Sequence, residues 1–314
     1  MIIGIPKAFM YFEYKTLWEN FFKNLNFDII TSEDTNDLIL GNGIKNSIDE
    51  GCLAGKIYLG HVESLINKCD YIFIPRFCKF KNKGVACVKF NAQYDICKNL
   101  FPNNNILGLN LDYTSKSSEF KAYMELGKSL GKSKYEVIGA YLKAKRKYIQ
   151  EQKKNSFNEV NQILKFKNSK LSASTDKKLK ILIVTHPYIY HDNFMGKKVI
   201  DELTKQNAIT IFPNIITDKK YLNNFKYFSK TLYWESSKNI LNTLKEYMDI
   251  VDGILFLSVF PCGVDSLVNE LAIRKVDVPK LNIIVDENTS DTGIITRIES
   301  FLEVIKQKME GKYV

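Results

Sequence analysis

Short apolar runs bounded by glycine, proline or polar residues alternate along this chain with longer segments whose apolar residues return every three or four positions. These are the signatures of buried strands and of amphipathic helices. The opening IIGIP is one such run, Leu17, Phe21, Phe22 and Leu25 then recur at helical spacing, and FDIIT follows, so the chain begins β-α-β. Asp34 to Asn67 reads as helical with glycine breaks, YIFIP (Tyr71 to Pro75) as a buried strand stopped by its proline, and ILGLNLD (Ile106 to Asp112) as a further strand. From Glu119 the pattern turns helical, and Tyr135, Ile138, Tyr141, Leu142 and Ile149 are expected on the core face of a long helix reaching Phe166.

The polar stretch KNSKLSASTDKK (Lys167 to Lys178) has the composition of a linker, and the strand LKILIVT begins a new unit after it. The same grammar then repeats: a helix near Gly196 to Gln206, strand AITIF, a helix near Lys238 to Met248, strand GILFLSVF, a helix, strand LNIIV and a closing helix. Alternating strands and helices imply parallel sheets with right-handed crossovers, whose ligands lie beyond the carboxyl ends of the strands. The expected organisation is therefore α/β in two domains, residues 1–170 and 179–314, and a chain of 314 residues is long enough for two cores.

Composition narrows the class. Hydrophobic residues make up 45% and charged residues 25%, the proportions of a globular protein. No long uninterrupted apolar run occurs and MIIGIPKAFMYFEYK has no basic region ahead of an apolar stretch, so a cytoplasmic protein that neither spans a membrane nor is exported is expected. The net charge of +10 comes from lysines spread over helix faces, so a nucleic-acid partner is not expected. The densest run, KAKRKYIQEQKK from Lys143, reads as a solvated helix face, with docking to an acidic protein as the sharper alternative. The sequence holds neither a Walker loop nor GxGxxG after a strand, which leaves ATP and dinucleotide binding unsupported.

Six cysteines stand at positions 52, 69, 78, 87, 97 and 262, without CxxC or zinc-finger spacing. In a reducing compartment these are core thiols, reactive thiols or metal ligands. Cys262 directly follows strand GILFLSVF in FPCGVDSLVNE, where Asp265 or Ser266 could cap the next helix; Cys52 precedes a helix in DEGCLAGK; Cys87 lies in a loop beyond YIFIP. All three positions are element ends, where a helix N-terminus favours negative charge on sulfur. Cys69 and Cys97 read as packing, and Cys78, in PRFCKF, is the rival loop ligand. His186 closes a strand in THPY and with Tyr188 and Trp234 is a candidate for the wall of a pocket, while His61 falls mid-helix and reads as packing.

IGIPKAFMYFEYKTLWENFFKNLNFDIITSEDTN and EGCLAGKIYLGHVESLINKCDYIFIPR, with FLSVFPCGVDSLVNELAIRK and VPKLNIIVDENTSDTGIITRIESFLE, together resemble the proteins called acyl-CoA dehydratase activase-related or CoA protein activase. These are relatives of the D-component subunits of 2-hydroxyacyl-CoA dehydratases and of the double-cubane cluster proteins. The resemblance implies two flavodoxin-like (Rossmann-like) domains with parallel sheets and an iron–sulfur cluster, of [4Fe–4S] type, in the interdomain cleft. Its ligands would be Cys52, Cys87 and Cys262, although Leu53 and Ala54 stand where the family has proline soon after the first cysteine. It further implies a low-potential electron from a separate ATP-dependent activator, a second homologous subunit or homodimer, and a possible acyl-CoA substrate. The activity would be that of a dehydratase-like lyase subunit or a double-cubane-type reductase. The alternatives are a non-catalytic cluster-carrying subunit and a metal-free α/β binding module.

Overall fold

Apolar runs become strands because a parallel sheet covered by helices buries both of its faces, and the structure shows the two patterns interlocking in this way. It is a computed structural model that describes residues 1–80, 84–113, 118–169, 178–213 and 220–311. Met1–Glu151 with Tyr233–Glu235 form one compact unit, and Gln152–Leu232 with Ser236–Val314 a second.

The first unit runs β1 (Ile2–Ile5), α1 (Tyr11–Asn24), β2 (Asp28–Thr31), α2 (Asp37–Lys45), α3 (Leu53–Glu63), β3 (Tyr71–Lys79), α4 (Val88–Leu100), β4 (Ile106–Asp112), α5 (Ser118–Ser129) and the start of α6 (Lys134–Ser169). Its sheet has the order β2-β1-β3-β4, all parallel. The second unit holds the rest of α6, then β5 (Lys180–Val184), α7 (Pro187–Tyr190), α8 (Lys197–Lys205), β6 (Ile209–Ile211), α9 (Glu235–Tyr247), β7 (Gly253–Val259), α10 (Gly263–Ile273), β8 (Lys280–Val285) and α11 (Asp291–Met309), with Glu235 itself in the first unit. Its sheet order is β6-β5-β7-β8, again all parallel. Both units are flavodoxin-like α/β folds, in which the chain reverses its winding between the two central strands. Of the stretch expected as a linker, residues 170–177 lie outside the described residues. Among the described residues no helix is long and apolar enough to cross a membrane.

Three expectations are corrected. Strand β3 does not stop at Pro75 but continues to Lys79. Ile72 donates its N–H to Asn105 of the β4 side, so by the two-residue alternation of a strand Pro75 turns its nitrogen to the opposite edge. There β1 pairs only as far as Ile72, and no donor is required.

The long helix expected from Glu119 is two helices. Gly131 breaks it at φ +72, and Ser133 and Glu136 form a reciprocal capping box: Ser133 N donates to Glu136 Oε2 (2.9 Å) and Glu136 N to Ser133 Oγ (3.4 Å).

The core face of α6 also differs from the one expected. Tyr141 is buried as expected, but Tyr135 and Leu142 are 85% and 57% exposed and Ile149 is exposed too, and Val137, Ala140 and Ala144 are buried in their place. α5 approaches so closely that a Cβ on Gly127 would lie 2.2 Å from Val137 Cγ2. Space at this contact selects the face with the smaller side chains over the one with the greater hydrophobic bulk.

The first core is aromatic. Trp18, Phe21, Phe22, Phe73, Phe77 and Tyr123 are fully buried, and Phe22 and Trp18 meet Phe73 edge-on at 5.1 and 5.3 Å between ring centroids. Against it, α2 and α3 cross in near backbone contact. A Cβ on Gly43 would lie 2.0 Å from the Lys56 carbonyl oxygen, and one on Gly60 would lie 1.8 Å from that of Ile39. Small residues at matched positions on both helices thus fix the level at which α3 begins. Gly60→Ala must push two backbones apart and is expected to cost about 3 kcal/mol or more in chemical denaturation. Gly41→Ala, in the same helix pair but with nothing within 4 Å of its Cβ position, should be neutral or stabilise by up to about 1 kcal/mol.

His61 packs on α3 with no exposed surface, its Nδ1 2.8 Å from Ser32 Oγ and its Nε2 3.0 Å from Thr35 Oγ1. Burial and the charge of Lys7 lower its pKa from 6.5 to about 4, with Asp34 opposing in part. The native state therefore binds this proton less readily than the unfolded chain, and the stability His61 contributes is complete above pH 6.5 and is lost as pH falls toward 4. The wild-type protein should lose a few kcal/mol more than His61→Gln between about pH 7 and 4 in denaturation series. Parallel pH profiles for the two proteins would contradict this assignment.

Candidate functional site

A parallel sheet delivers all its strands to one edge, and the helices that return over its faces start near that edge with unsatisfied N–H groups. Three cysteines occupy these starts. Cys52 is the N-cap residue of α3 (φ −64, ψ 144), Cys87 that of α4 (φ −59, ψ 141) and Cys262 that of α10 (φ −107, ψ 98). All three are half-buried. The others sit elsewhere: Cys69 in the turn before β3, Cys78 on β3 and Cys97 within α4.

The surroundings separate the two groups further. Cys97 is fully buried, and burial pushes its thiol up to about 12. Cys69 is wedged under β1, where a Cβ on Gly4 would lie 2.6 Å from its sulfur, and it donates to the Leu65 carbonyl at 3.4 Å. Burial raises its pKa. Cys78 donates to Asn91 Oδ1 at 3.1 Å, and burial raises its pKa as well.

In the second unit, β5 and β7 pair from Ile181 with Gly253 to Val184 with Phe256, so the residues that follow them emerge side by side. His186 leaves β5 as the N-cap residue of α7, with Pro187 at the first helical position. Cys262 follows β7. Its sulfur accepts from the backbone N–H of Asp265 at 3.4 Å, so the thiol itself caps α10 and neither of the side chains expected to do so performs that role. Ser266 Oγ instead donates to the Cys262 carbonyl oxygen at 2.8 Å. The Asp265 side chain turns to His186, with Oδ1 2.9 Å from Nε2.

Both partners of this pair are buried, and the His186 ring stacks on Tyr188 at 5.1 Å and 7°. Burial would push the Asp265 carboxyl up. The charge of His186 and hydrogen bonds from His186 and Cys262 outweigh it and hold the carboxyl below its ordinary value. His186, Asp265 and Cys262 thus form one hydrogen-bonded set, with an ionised carboxylate between an imidazole and a thiol.

In the first unit, a Cβ on Gly55 would lie 3.3 Å from Cys52 Sγ and 3.7 Å from Gln93 Nε2. Glycine here lets a thiol and a buried amide share the first turn of α3. Cys87 opens α4, which packs against α3. Trp234 belongs to the first unit, where it bridges Val85, and His186 and Tyr188 belong to the second. Among the described residues no three His, Cys, Asp or Glu side chains are gathered so as to hold a metal ion. Sequence reasoning took Asp265 for a cap and passed over Gln93. The first has no local signal, because its partner is 79 residues away. The second has one: Gln93 interrupts the buried stripe Phe90, Gln93, Cys97 of α4.

Fold and edge chemistry together describe a flavodoxin-like α/β protein with thiols and an imidazole at its strand ends. The chain belongs to the family described as the CoA enzyme activase uncharacterised domain, whose model matches residues 2–216. No curated protein matches the chain. One solved structure, described as a sugar transporter from Clostridium phytofermentans, matches at 11% identity over 98% of this chain and 93% of that one, with a TM-score of 0.21.

Proposed function

We propose that this protein is a redox relative of the 2-hydroxyacyl-CoA dehydratase D-components and the double-cubane cluster proteins, with Cys52, Cys87 and Cys262 as ligands of a [4Fe–4S]-type cluster. The observation that carries the reading is positional: these three cysteines stand at the N-cap positions of helices, and the other three do not. The donor set fits the group, since thiolates are the usual ligands of iron–sulfur clusters and helix-start N–H groups stabilise charge on sulfur. Such a group, when bound, supplies one-electron chemistry at low potential.

The protein's own residues supply orientation and electrostatics. Asp265 N–H directs the Cys262 sulfur, and the Asp265 carboxylate is itself held by His186. On this reading the protein works with a separate ATP-dependent activator, and its substrate is reduced or dehydrated, with acyl-CoA the class to try first.

The test is anaerobic EPR of protein reconstituted with iron and sulfide, recorded before and after an ATP-dependent activator from the same class of system. A broad visible absorbance should appear on reconstitution, and a paramagnetic signal should then appear only with activator and ATP. Absence of bound iron and sulfide would leave a metal-free binding module, and reduction by mild donors without ATP would leave an electron carrier.

A further inference from the structure

An open cavity of about 730 Å³ lies in the first unit, walled by the loop from α2 to α3, the start of α3 and one side of α4. Its surface is mainly apolar, and two of the apolar residues at it, Ile48 and Leu100, are 66% and 41% exposed. Charge is set into this apolar surface with one sign in excess. Lys45, Lys56 and Lys89 line the cavity against a single acid, Asp95, and Asp95 is ion-paired with Arg76. Neither α3 nor α4 has an acidic residue in its first turn.

Two buried polar side chains face the same space. Lys56 is 3% exposed, and so is Gln93. Both line the cavity, and Gln93 Oε1 has no hydrogen-bond partner among the described residues. A buried amide oxygen in that state costs stability, which a water that enters with a ligand and donates to it recovers.

We propose that this cavity is a binding site for a small aliphatic monoanion, a carboxylate head on a short unbranched apolar tail. The head lies toward Lys56 and Lys89, with a water donating between it and Gln93 Oε1, which can only accept, and the tail lies along Ile96 and Leu100. Inorganic anions lack the tail that the wall is built to cover, and neutral lipids lack the charge that the lysines are placed to meet. Cys52 also lines this cavity, but the site does not rest on the iron–sulfur reading, because its lysines and its volume are those of the protein alone.

Isothermal titration of the purified, iron-free protein with sodium hexanoate tests it. Saturable one-to-one binding is expected. Acetate and inorganic phosphate should bind about a hundredfold more weakly for want of buried methylenes, and hexan-1-ol about tenfold more weakly for want of a charge-assisted bond. Lys89→Gln should weaken hexanoate about tenfold, and Ile96→Trp, which places bulk where the tail lies, should weaken it by a similar factor with the thermal melt unchanged. Failure of hexanoate to saturate, equal binding of hexan-1-ol or phosphate, or undiminished binding to Lys89→Gln would overturn the assignment. Lys89→Gln, at a half-buried position, keeps the test decisive should Ile96→Trp fail to fold.

Discussion

Parallel strand pairing is the constraint from which the rest of this molecule follows. Because β1 to β4, and again β5 to β8, all run in one direction within their sheets, every return must be a crossover, and helix starts with open N–H groups gather at the carboxyl edge. The residue occupying each start decides what that edge can do. In this chain it is cysteine at α3, α4 and α10, and histidine at α7. A thiol is a poor helix cap beside serine or aspartate, and on the proposed reading its use at three starts turns those positions from holding the helix to presenting sulfur.

Precision at the edge comes from packing well away from it. The reciprocal glycine contact between α2 and α3 sets where α3 begins, and with it the position of Cys52. The buried His61, held between Ser32 and Thr35, ties the last turn of α3 to the segment after β2. In the second unit the fully buried β7 carries Cys262 out of the sheet, and the buried pair of His186 and Asp265 fixes the turn that follows. Cys52 and Cys262 therefore stand on well-packed elements, which is what an organised site requires.

The strands were legible because a parallel sheet asks for short, predominantly apolar runs, and YIFIP, ILGLNLD, LKILIVT and GILFLSVF are of that kind. The three element-end cysteines were legible for the same reason, since each follows a run or precedes a helix start. Three features were not. The end of β3 depends on which edge Pro75 turns to, a matter of pairing and not of local propensity. The buried face of α6 is chosen by how closely α5 approaches at Gly127, a contact that periodicity does not contain. The pair of His186 and Asp265 joins two strand ends that only the sheet order brings together. The capping box at Ser133 and Glu136 differs from these, because its S-x-x-E pattern is present in the sequence and marks the start of α6.

On the proposed reading, sulfur at helix starts, and not sulfur in general, gives this protein its chemistry. Iron and acid-labile sulfide in anaerobically reconstituted single Cys→Ser variants measure it most directly. The account predicts that Cys52→Ser, Cys87→Ser and Cys262→Ser each lose most of the iron while Cys69→Ser and Cys97→Ser keep it. Full iron in any of the first three, or its loss from Cys69→Ser or Cys97→Ser in a protein that still melts cooperatively, would contradict it.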